Sequence, residues 1–119
     1  MSAILDLYEK NFFELGNVFT KSGPNICYNT KMKRFINNFG FHPRVIGAVW
    51  ELLYKEERKR NGCKLIYLLS IFCYIKTNNI ESQAKFMFDI HEDTYRDWKD
   101  YLLRFISQIK VVRELILLS

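Results

Sequence analysis

The chain is poor in residues that break helices. Its 119 residues include two prolines and five glycines, which favours helices joined by short turns. Cysteine is scarce and badly placed for a framework. Cys27, Cys63 and Cys73 are odd in number and widely spaced, no C-x-x-C occurs, and only His42 and His91 could join them on a metal. This pattern argues against a structural zinc site and reads as free thiols in a reducing compartment. Long apolar runs are missing too. The longest, "LIYLLSIFCYI" (Leu65 to Ile75), is 11 residues, whereas a membrane span needs ~20. The opening "MSAILDLYEK" lacks a basic segment and meets Asp6 and Glu9 early, so no signal peptide is expected. Nor is there a P-loop, a G-x-G-x-x-G or an H-E-x-x-H, which removes the enzyme classes those motifs serve. The expectation is an intracellular, soluble chain with no cofactor, no metal, no membrane contact and no small-molecule substrate.

What is present is apolar and aromatic. Hydrophobic residues make up 49% and aromatics 16%, enough for a folded chain with its own core. One all-α domain over residues 1–119 is expected, a small helical bundle of about five to seven helices. Residues 1–20 hold an N-terminal helix, "SAILDLYEKNFFEL", with Ser2 as its cap and Gly16 as its stop. Leu5, Tyr8, Phe12 and Leu15 form its inner side. "TKSGPN" is a loop. Residues 30–76 hold the central helices. The first runs from Thr30 to Asn38 and ends at Gly40. The second opens on Pro43, suited to a first helical position, and carries a stripe of Val45, Ile46, Val49, Trp50 and Leu53. Gly47 interrupts that stripe and marks a close helix contact. The third, "CKLIYLLSIFCYIKT", is apolar nearly all round and belongs at the centre.

Residues 79–109 read as helix, tight turn, helix. "NNIESQAKFMFDI" offers Asn79 as N-cap and an i,i+4 pair from Glu81 to Lys85. Ile80, Ala84 and Met87 face inward, and Ile90 plugs the turn. The second helix begins near Glu92 with an inner stripe of Tyr95, Trp98, Leu102, Phe105, Ile106 and Ile109. Residues 111–119 add a helical extension. Its apolar stretch Val111–Leu118 would serve a protein partner or self-association, or be covered by an element that follows.

The combination resembles the N-terminal region of Harbinger-like transposases, whose catalytic domain carries a carboxylate triad. The similarity starts at "MKRFINNFGFHPRVIGAVWELL", with a Phe-Gly turn, a Pro near a helix start and a Val/Trp-Leu helix. It continues through "KLIYLLSIFCYIKTNNIESQAKFMFDIHEDTYRDWKDYLLRFISQI". There Thr94, Tyr95, Arg96, Asp97 and Trp98 stand for the family's Thr-Tyr/Phe-Arg-Lys-Trp signature. It covers roughly residues 32–109. The resemblance implies a module that positions a protein on double-stranded DNA, in the nucleus where the cell has one. The family's nuclease core, which uses carboxylates to hold two metal ions, has no counterpart here, so no catalytic residue and no enzymatic activity are expected. Asp97 stands where relatives place a second Lys.

Charge decides where DNA would touch. The net charge is +5 and the pI ≈ 9.2, but residues 31–64 hold nine bases and three acids (net +6), while residues 81–100 hold three bases and six acids (net −3). Phosphate contacts are therefore assigned to Lys31, Lys33, Arg34, Arg58, Lys59, Arg60 and Lys64. Thr94, Arg96 and Lys99 are the candidates on the helix-turn-helix, with Arg96 the best placed for a base edge. With Tyr95, Trp98 and Leu102 turned inward, the outer face carries Asp93, Arg96, Asp97, Asp100 and Arg104. With three acids against two bases, that face suits a solvated, salt-bridged helix better than a groove. The alternative function is a helical protein–protein interaction module, or a transposon remnant, that no longer binds DNA.

Overall fold

The computed structural model describes residues 3–55, 62–78 and 87–109. Among them the chain forms α1 (Ala3–Phe19), α2 (Tyr28–Phe39), α3 (Pro43–Lys55), α4 (Leu65–Thr77) and α5 (Glu92–Ser107), with no strand. The all-α expectation is met. Residues 56–61, 79–86 and 110–119, which hold most of the segment "KEERKR", most of the expected helix from Asn79 and the tail Val111–Leu118, lie outside the described residues.

Local chemistry sets several helix ends. α2 stops at Gly40 (φ 86°), whose N–H donates to the Ile36 carbonyl at 2.8 Å. α4 stops at Asn78 (φ 56°), whose N–H donates to Tyr74 at 2.7 Å. Both are left-handed stops that satisfy an otherwise orphaned carbonyl. The two histidines share one job. His42 Nδ1 accepts from the Arg44 amide at 3.0 Å at the start of α3. His91 Nδ1 accepts from the Asp93 amide at 3.2 Å at the start of α5. Each ring must keep its proton on Nε2 to accept in this way. Neither was foreseen as a cap.

α4 is the centre, as its composition implies. Six consecutive residues, Leu68 to Cys73, are buried, and α4 touches each of the other four helices. α1 lies along α3. The ring of Phe12 meets Trp50 edge-on at 6.2 Å. Gly47 faces the α1 backbone, where a Cβ would sit 3.2 Å from the Glu9 nitrogen, so the close contact expected at Gly47 is there. Arg44 seals the same seam: its Nη1 lies 2.9 Å from Asp6 and 3.0 Å from Glu9. The hydrogen bonds to Asp6 and Glu9 raise the guanidinium pKa above its ordinary value.

One expected boundary is corrected. Gly16 does not stop α1, which runs on to Phe19. Gly16 is buried because Phe35 and Phe39 of α2 press against it, leaving no room for a side chain. The turn instead comes at Lys21 (φ 56°), with the Ser22 amide donating to the Asn17 carbonyl at 2.9 Å. Smaller differences concern ends: α2 starts at Tyr28 rather than Thr30, and α5 stops at Ser107, short of Ile109.

Candidate nucleic-acid interface

α2 is seated by Phe35 and Phe39, four residues apart and both buried, which puts them on one side of a helix. The Phe35 and Phe39 rings pack 4.7 Å apart, and Phe13 of α1 meets Phe35 at 6.1 Å. The basic residues Lys31, Lys33 and Arg34 follow from the same helix, which contains no acid. Lys33 is exposed, and Lys31 and Arg34 are half-buried. Arg34 is partly held: Nη1 donates to the Ser22 hydroxyl at 3.3 Å, and that hydroxyl also pairs with Thr20 at 2.9 Å. At the start of α2, Cys27 stands in the N-cap position without a side-chain cap bond. Its exposed thiol lies 3.1 Å from the Thr30 hydroxyl. That side-chain hydrogen bond, followed by the Thr30 backbone, holds the thiol pKa below its ordinary value.

Lys64 stands at the N-cap position of α4 and is exposed. Its Nζ lies 6.0 Å from the centre of the Tyr67 ring, at the outer reach of a cation–π contact. Arg58, Lys59 and Arg60 lie outside the described residues. Of the seven bases assigned to phosphate, the four described ones are therefore three on α2 and one at the start of α4.

The approach to α5 is well anchored. Phe88 is buried, with its ring 4.6 Å from Phe19. Asp89 turns the chain with φ 53°. Ile90 is 4% exposed and fills the turn as expected. Tyr95, Trp98, Leu102, Phe105 and Ile106 are buried. Trp98 stacks on Tyr67 of α4 at 5.4 Å and meets Tyr101 edge-on at 5.9 Å. The outer residues Asp93, Arg96, Asp97, Asp100 and Arg104 are all exposed. The inner and outer faces thus fall where helical periodicity puts them.

The three candidates on this helix are not equivalent. Thr94 is half-buried in the first turn. Lys99 is half-buried, with Nζ 4.3 Å above the Tyr74 ring, which ties it to α4 rather than extending it into solvent. Arg96 is exposed, and its Nη1 lies 3.5 Å from Asp93. A guanidinium beside a carboxylate must loosen that contact before it can reach phosphate or a base edge.

One base was missed. Lys21 lines the same surface hollow as Lys31, although ten positions separate them in sequence. No periodicity links the two; only the loop after α1 does. Among the described residues no group of His, Cys, Asp or Glu could hold a metal ion, and no helix is long and apolar enough to cross a membrane. Comparison with known proteins finds no matching family model, no matching curated protein and no matching solved structure.

Proposed function

We propose that this chain is the DNA-binding module of a transposase-like or transposon-derived protein, holding duplex through its phosphates and carrying out no chemistry itself. The observation that supports this most is the charge of α2: Lys31, Lys33 and Arg34 on a helix without acids, one side of it firmly seated on the core. A seated helix offers bases to phosphate at little further ordering cost. The turn through Ile90 and the inner stripe of α5 suit the second half of a helix-turn-helix, and the family resemblance rests on that stretch. The partner is double-stranded DNA, and the location that goes with it is the nucleus, or the cell interior generally. Titrating a fluorescent duplex at rising salt tests the reading. The expected result is binding at 50 mM salt whose log K falls steeply with log salt, by about 0.9 per phosphate neutralised. No binding at low salt, or a flat response, overturns it.

A second reading has one observation in its favour. Ile4 and Leu7, three residues apart on α1, are 48% and 52% exposed, and adjacent exposed apolar side chains on an outer helix face suit a protein partner. Light scattering that finds only monomer at high concentration counts against self-association through it.

A further inference from the structure

The outer face of α2 carries more than charge. Phe35 and Phe39 fix the side that meets the core. At ~100° per residue, Asn29, Lys33, Ile36 and Asn37 then fall together on the opposite side, and all four are exposed. Among the described residues, no hydrogen bond or ion pair engages the side chains of Asn29, Lys33 or Asn37, whereas Asn38 donates to the Arg34 carbonyl at 2.8 Å. Cations flank this face. On the side of α1, Arg34 reaches the Ser22 hydroxyl, and Lys31 shares a hollow with Lys21 and Glu14. At the far end, Lys76 of α4 is exposed, and a Cβ on Gly40 would sit 3.5 Å from the Lys76 Cβ.

Two amides, an amine and a branched apolar group on one helix face match the edges of base pairs. An Asn amide pairs with N6 and N7 of adenine, a Lys amine donates to O6 and N7 of guanine, and an apolar side chain meets the thymine methyl. From Asn29 to Asn37 the helix rises about 12 Å, the height of three to four base pairs at ~3.4 Å each. A major groove about 12 Å wide admits such a helix. The outer face of α5, with Asp93, Arg96, Asp97, Asp100 and Arg104, has no amide and more acids than bases. We propose that α2 is the helix that enters the major groove and reads sequence there. Asn29 and Asn37 take adenines, Lys33 a guanine and Ile36 a thymine methyl, while Lys31, Arg34 and Lys76 hold phosphates beside them. This rests on the duplex-binding reading and adds sequence specificity to it.

Enrichment of the full chain's targets from duplexes with randomised central positions tests it. One sequence should emerge and bind at least about 100-fold more tightly than a scrambled duplex at equal salt. Asn29→Ala and Asn37→Ala should each cut that ratio at least about 5-fold. Each should leave affinity for the scrambled duplex within about 2-fold, because neither side chain meets phosphate. Lys31→Gln should weaken both duplexes alike. Alanine favours a helix, and circular dichroism of each variant reports that it stays folded. Binding of every sequence alike overturns this inference and leaves the duplex reading standing. No binding of any duplex at low salt overturns both. Selectivity that survives both asparagine substitutions also overturns it, and its loss in Arg96→Ala would place base reading on α5.

Discussion

Phe35 and Phe39 seat α2 on the core much as Tyr95, Trp98 and Leu102 seat α5, yet what the two helices show to solvent differs. α2 carries Lys31, Lys33 and Arg34 and no acid; α5 carries Glu92, Asp93, Asp97 and Asp100 against Arg96, Lys99 and Arg104. Their starts differ as well: His91 caps α5 through its side chain, whereas Cys27 makes no side-chain cap bond to α2. In α5 the charges serve the helix. Glu92 and Asp93 lie in the first turn, where the dipole favours them, Arg96 meets Asp93, and Lys99 covers Tyr74. In α2, Arg34 donates to the Ser22 hydroxyl and Lys33 is exposed, with no acid on the same helix.

Three sets of substitutions test this contrast, from the largest effect down. The seats come first. Phe35 is fully buried against Gly16, whereas Trp98 is 7% exposed at the α4 edge. Phe35→Ala should cost about 4–5 kcal/mol and Trp98→Ala about 3 kcal/mol in urea unfolding. If Trp98→Ala costs more, α5 rather than α2 is the better anchored helix. The charges come second. Replacing Lys31, Lys33 and Arg34 with Gln should weaken duplex binding roughly 100-fold at low salt and reduce the salt slope by about 2–3. Arg96→Ala should cost less than about 5-fold on the same scale, as one phosphate contact or fewer. Asp97→Asn with Asp100→Asn should tighten binding roughly 3- to 10-fold by removing repulsion. The opposite ranking would return DNA contact to α5. The caps come last. His91→Ala should destabilise by about 0.5–1 kcal/mol, while Cys27→Asp should stabilise by a similar amount by giving α2 the cap it lacks. Thermal unfolding of the two variants reads both signs.

Much of the fold could be read from periodicity. The stripe from Ile46 to Leu53, the apolar α4 and the two faces of α5 are local patterns, and each lies where its spacing puts it. Gly16 shows why some features could not be read. As a local signal a glycine after an apolar run is a stop, but here it is a seat for Phe35, and nothing near Gly16 in sequence announces a residue 19 positions on. His42 and His91 were weighed as metal ligands, because their chemistry permits it, while their place just before a helix pointed to the cap. The candidate interface was legible as composition, in that α2 is basic and α5 acidic. Its geometry was not. That Lys99 turns back onto Tyr74, and that Lys21 joins Lys31 across a loop, depends on which helices become neighbours.

α1 carries a consequence for where the folding unit ends. Its aromatic residues reach much of the bundle: Phe12 against Trp50, Phe13 against Phe35, and Phe19 against Phe88 just ahead of α5. Removing it would expose α3 along Gly47, release Arg44 from both carboxylates and uncover the wall beneath α2. Residues 32–109 without α1 would therefore lack the packing that covers α2 and α3. The minimal cooperative unit begins with α1, and any transplant of the pattern to another protein must bring that first helix along.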